Sequence, residues 1–153
     1  MARSRRGLAL SASVLLGCAA AGGPRPNGGV AGAEGRVQDA ATLAQIYFWR
    51  AKPGKEQEYT RYIRVQAEPI DEAARQAGAF LSVTTYMAAD TTVPWTHMRV
   101  FTLRDSTQLR ALGGALMAAG ERLQPDSVKR RQQSEYSASL RDRVGAVVVQ
   151  LVR

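Results

Sequence analysis

The residues best suited to chemistry are a histidine and an arginine two positions apart, His97 and Arg99, in the run Thr96 to Leu103. A two-residue spacing in an extended segment puts both side chains on one face of a sheet. His97 is the only histidine of the chain, and an imidazole can give or take a proton near neutral pH. An arginine beside it can hold an anionic oxygen with a planar fork of donors. Strand alternation offers Tyr47 and Trp49 from one neighbouring segment, and Ser82, Thr84 and Tyr86 from another, as companions on the same face. Together these seven residues form the candidate ligand-binding surface, and His97 and Arg99 are its catalytic candidates. A plainer role for the pair, satisfying polar groups in a subunit interface, is favoured over catalysis. Other chemistries have less support. One histidine, one cysteine and no carboxylates at ligand spacing argue against a zinc or non-haem iron site. No serine, histidine and acid share the context of a nucleophilic motif. A haem ligand would have to be His97, a tyrosine or a methionine. No metal and no cofactor are expected.

The elements that must position these side chains begin at Leu43. About Ala44 to Ala51 alternates as a strand, with Tyr47 and Trp49 on one side and Ile46 and Phe48 on the other, and ends at the turn pair Pro53-Gly54. Tyr59, Tyr62, Ile63, Gln66, Ile70, Ala73, Ala74 and Ala77 recur at helical spacing through about Gln76. Pro69 predicts a kink within that helix rather than its end. Gly78 is a stop signal, and Glu68, Asp71 and Glu72 read as the wet face.

Ala79 to Met87 and Thr96 to Leu103 are rich in β-branched and aromatic residues and suggest a hairpin. Asp105 or Ser106 caps a helix carrying Leu109, Leu112, Leu116 and Leu123. Gly113-Gly114 in its middle predicts a close packing contact or a break. A polar helix is expected from about Ser127 to Asp142, with Lys129, Arg130, Arg131, Arg141 and Arg143 as its solvated charges. Gly145 to Val152 reads as a last strand buried on both sides.

The order strand, helix, strand, strand, helix, helix, strand predicts an α+β, ferredoxin-like β-α-β-β-α-β antiparallel sheet with helices on one face. By this reading the helices cover Ile46, Phe48, Leu81, Val83, Met98 and Val100. The face bearing Tyr47, Trp49, Phe80, Tyr86 and Phe101 is left open, as a partner or ligand surface. The run Ile46-Tyr47-Phe48-Trp49-Arg50-Ala51-Lys52-Pro53-Gly54-Lys55-Glu56, the Tyr59-bearing helix with Pro69, and Val100-Phe101-Thr102-Leu103-Arg104-Asp105 resemble the dimeric α/β-barrel superfamily. That superfamily includes antibiotic-biosynthesis-monooxygenase-like and NIPSNAP-like proteins. The resemblance implies a homodimer whose open sheet faces close into a barrel.

The first forty residues are of a different kind. Arg3, Arg5 and Arg6 precede an apolar run from Leu8 to Leu16, the plan of an export signal too short to span a bilayer. Leu15-Leu16-Gly17-Cys18 resembles a bacterial lipobox, which implies a lipidated Cys18 as the first mature residue. The division expected is a signal at 1–17, a flexible Ala/Gly/Pro tether at 18–41 and a folded domain at 42–153. The destination is the bacterial cell envelope, lipid-anchored to a membrane; cleavage after Ala19-Ala20-Ala21 would instead release a secreted or periplasmic protein.

The formal charge of the 153-residue chain is +8. The three signal arginines account for three of those charges, which leaves +5 on the mature chain. No nucleic-acid motif accompanies this excess, and nucleic acid is not expected as a partner. Two functions remain. One is a tethered, non-catalytic module binding a small apolar or aromatic ligand; the other is a cofactor-independent monooxygenase acting on an aromatic substrate in the barrel.

Overall fold

A computed structural model describes residues 41–152; the expected signal, Cys18 and all of the expected tether but Ala41 lie outside them, and Ala41 is buried. Four strands and one helical layer follow the predicted order. β1 (Leu43–Ala51) leads through the turn at Gly54, φ 73°, into α1 (Glu56–Tyr62). A π-helical turn (Ile63–Ala67) and α2 (Glu68–Gln76) continue the same rod, which stops at Gly78, φ 81°. β2 (Ser82–Met87) and β3 (His97–Leu103) form the hairpin. α3 (Ser106–Leu123) and α4 (Ser127–Leu140) come next, and β4 (Arg141–Gln150) completes the sheet. The strand order is β2-β3-β1-β4 with every neighbouring pair antiparallel. This is the ferredoxin-like α+β arrangement.

Local chemistry accounts for the boundaries. The Asp105 carboxylate accepts from the amides of Thr107 and Gln108, and that of Asp126 from Val128 and Lys129, so both long helices start on side-chain caps. The kink expected at Pro69 takes the form of the π turn just before it. Proline has no N–H to give and crowds the carbonyl a turn back; widening that turn relieves the clash without ending the helix.

On β1 and β3 the covered face is the reverse of the expected one, and Phe80 turns inward with it; β2 keeps its expected sides, with Val83 against the core and Tyr86 open. Phe101, 2% exposed, packs edge-on against Phe80 at 5.1 Å and against Tyr47 at 5.9 Å, in a core with Leu103, Ala74, Leu112 and Ala119. Register puts Tyr47, Arg99 and Thr85 in one row and Trp49, His97 and Met87 in the next, all beneath the helices. Ile46, Phe48, Met98 and Val100 take the open face. Volume favours this: the helices present Ala73, Ala74, Ala115 and Ala119 between Ile70, Leu109, Leu112 and Leu116, and large sheet residues fill the space left over the alanines to interior density.

Two other expectations change. β4 begins at Arg141, directly after α4, and is an edge strand with Val144, Val147, Val148 and Val149 exposed, not a strand buried on both sides. Gly113 and Gly114 neither break α3 nor meet a neighbour, since an added Cβ would have nothing within 4 Å at either. Each glycine therefore costs the helix about 1 kcal/mol with no packing in return. The double variant Gly113→Ala/Gly114→Ala should melt several degrees above the wild type by calorimetry. An unchanged or lower midpoint would show that this surface is already engaged.

Candidate functional site

The covered face of the sheet carries a polar cluster of unusual density. Arg99 on β3 and Asp71 on α2 form an ion pair, 8% and 4% exposed, and the Arg99 Nε also donates to Thr85 Oγ1 at 3.3 Å. Burial pushes the Asp71 carboxyl above its usual range, while Arg99 pulls it back. Asp71 is thus not on the wet face of its helix. It follows Ile63 and Ala67 at steps of eight and four residues and precedes Ala74 by three, a phase that points inward.

Arg141 and Arg143 are the residues that the strand boundary concealed. As members of a polar helix they would be solvated charges; as the first residues of β4 they share the helix-covered face, Arg141 half-buried and Arg143 at its exposed rim. A β-bulge sets their direction. Phe48 pairs with Gly145 but Trp49 pairs with Arg143, so Val144 is the extra residue, and the alternation shifts by one. Without that shift Val144 and Asp142 would lie under the helices in place of the arginines. The only sequence signal was the two-residue spacing of Arg141 and Arg143 just ahead of an obvious strand.

Arg141 lies over Trp49, with Cζ 3.4 Å from the ring centroid, and 5.3 Å from the ring of Tyr59. Its Nε donates to Ser137 Oγ at 3.1 Å, while its Nη1 is buried with no hydrogen-bond partner among the described residues. Burial lowers the pKa of this guanidinium. Arg143 stands 5.5 Å from the Tyr47 centroid and 6.0 Å from that of Trp49. These side chains line a cavity of about 200 Å³ walled by Tyr47, Trp49, Phe101 and Leu116, with Arg99, Arg141, Arg143 and Asp71 as its polar groups. Arg141 and Leu116 also border a wider cleft of about 500 Å³, between the π turn and the ends of α3 and α4.

Of the seven candidates, Tyr47, Trp49 and Arg99 line the cavity. His97 shares their face but does not line it, and Ser82, Thr84 and Tyr86 lie on the opposite face. Their cross-strand partners are Thr102, Val100 and Met98, so alternation places them on the open side. There Ser82 Oγ shares a hydrogen bond of 2.6 Å with Thr102 Oγ1, Thr84 is exposed, and Tyr86 is 48% exposed.

His97 is 0% exposed and both ring nitrogens are engaged: Nε2 with Thr60 Oγ1 and Nδ1 with Thr96 Oγ1, each at 2.9 Å. Thr60 gives its proton to the Glu56 carbonyl, so it accepts from Nε2–H, while Thr96 donates to Nδ1. The ring is therefore a neutral clamp between α1 and β3, with the Tyr59 ring edge-on at 4.6 Å. The Tyr59 phenol, its pKa pushed up to about 12 by burial, stays protonated as well. Neither group is free to move a proton to a ligand.

No protein-family model matches this chain, and no curated protein matches it. Among solved structures it is similar to the crystal structure of HapK from Hahella chejuensis, with a TM-score of 0.48 and 9% identity. That match covers 72% of this chain and 92% of HapK. Nothing about chemistry follows from a likeness of this size.

Desolvation lowers the pKa of His97 from its ordinary 6.5, against a smaller upward pull from Glu56. Below about pH 6.5 the unfolded chain binds a proton that the folded chain resists. Stability attributable to this residue is complete above that pH and falls as pH drops, by at most about 1.4 kcal/mol per pH unit. Urea midpoints of the wild type should fall between pH 7 and pH 5 more steeply than those of His97→Gln. Parallel curves would mean that the imidazole is not held neutral.

Proposed function

We propose that this protein is an exported, membrane-tethered module of the dimeric α/β-barrel type, and that it binds a small aromatic ligand without catalysing a reaction. The observation that carries the reading is the cavity between sheet and helices, where Tyr47, Trp49 and Phe101 form the walls around three arginines. Small-molecule sites are concave, mostly apolar and furnished with a few convergent polar groups. An enclosed space of about 150 Å³ takes up benzene in an otherwise packed protein. A cavity of about 200 Å³ accordingly suits one substituted ring. The locked hydrogen bonds of His97 favour binding over proton-transfer chemistry.

The tether and lipid anchor are proposed from Cys18 and the residues around it. Homodimerisation rests on the open sheet face, where Ile46, Phe48, Met98 and Val100 are joined by Tyr86 and by Val147 and Val149 of β4. A contiguous apolar face of this kind marks an interaction surface, and a two-fold arrangement lets one such patch cover its own copy. In this reading the dimer buries the aliphatic face, and each subunit keeps a separate ligand cavity on its helix side.

Benzamide, a neutral single-ring probe, should quench Trp49 fluorescence saturably in the full chain, and Trp49→Leu should abolish binding while remaining folded. Failure of both benzamide and its charged analogue benzoate to bind at millimolar concentration would remove the reading. Light scattering should give a dimer mass that Val100→Asp converts to a monomer mass. A monomeric wild type at micromolar concentration would refute the shared barrel. Metabolic labelling with palmitate should be lost in Cys18→Ser, and a persisting label would refute the anchor.

A further inference from the structure

The polar groups of the cavity do not balance. Arg99, Arg141 and Arg143 bring three positive charges to its lining, and Asp71 supplies one negative charge. Asp71 is committed to Arg99. Among the described residues no carboxylate pairs with Arg141 or Arg143. A guanidinium does not give up its proton in a protein, so burial cannot be answered by neutralisation.

Stacking on Trp49 and the bond to Ser137 satisfy one face and one nitrogen of Arg141. Its Nη1 stays buried and without an acceptor, an arrangement that is costly unless something else supplies one. Arg143, on the same row of β4, adds a second unpaired cation on the same side of Tyr47 and Trp49.

We infer that the ligand of this cavity is an aromatic carboxylate, its ring against the wall formed by Tyr47, Trp49 and Phe101 and its carboxylate on the guanidinium groups of Arg141 and Arg143. This rests on the small-ligand reading above and adds the charge that the ligand must carry. The carboxylate fits the two free guanidinium groups, since its two oxygens can accept from both. A planar ring fits beside the walls, because aromatic side chains prefer offset or edge-on contact with another ring, as Tyr47 already makes with Trp49 and Phe101. Arg99, already paired with Asp71, holds the floor in place and makes no charge contact of its own.

Benzoate and benzamide are nearly the same shape and differ in charge at neutral pH. Titration calorimetry on the full chain should show benzoate binding at least about tenfold more tightly, the step that one charge-assisted hydrogen bond supplies. Arg141→Gln should reduce that preference to less than about twofold. Arg143→Gln, at an exposed position that does not threaten folding, should reduce it in part. Equal affinity of the wild type for the two probes overturns the carboxylate assignment and leaves an aromatic site standing. Preference that survives in both variants also overturns it. Binding of neither probe overturns both this assignment and the small-ligand reading.

Discussion

Filling the space between the helices and the sheet is the constraint on which this structure depends. Where the helices present Ala73, Ala74, Ala115 and Ala119 between their larger residues, the sheet must supply large side chains or leave voids, and voids in an interior cost cohesion at every missing contact. Tyr47, Trp49 and Phe101 are the large residues within reach, so the aromatic face turns inward and the aliphatic face turns out. Everything polar on the aromatic face is carried in with it. That is how Arg99 comes to lie against Asp71 and His97 between two threonines, in a layer where an unpaired group would be costly.

The interior answers that cost unevenly. His97 and Arg99 are fully occupied by neighbours from α1, α2, β2 and the start of β3, and they tie the helical layer to the sheet. Arg141 and Arg143 are answered mainly by aromatic rings, which stabilise a cation without neutralising it. The difference separates structural polar residues from those with capacity to spare. The histidine that looks most chemical in the sequence is the most constrained, and two arginines that look like surface charge border the cavity walled by Tyr47, Trp49 and Phe101.

In the proposed reading the two faces of the sheet divide two tasks that the sequence had placed on one. The open side, aliphatic on β3, β1 and β4, is the one proposed for association with another copy, whereas the aromatic side borders a cavity within one subunit. A ligand cavity of this kind does not need a second chain to complete its walls. Association and binding can therefore be altered separately, because no residue contributes its side chain to both faces of a strand.

Order and type of elements were legible in the amino-acid sequence, because they follow from local rules. Alternation marked β1 and β3, helical spacing ran through Pro69 in phase, Asp105 offered a cap, and Gly54 and Gly78 sit where a positive φ is required. Tyr47, Trp49 and Arg99 were also legible as companions, since residues two apart on a strand and opposite in register must share a face. Which face the helices would cover was not, because alternation distinguishes two faces without saying which meets the smaller residues of another layer. Nor was the inward turn of Arg141 and Arg143, which depends on one extra residue at Val144 that shifts the alternation only when β4 pairs with β1. The sequence by itself determined the elements and their residues; tertiary packing decided which side of the sheet became the interior, and with it where the charge is held.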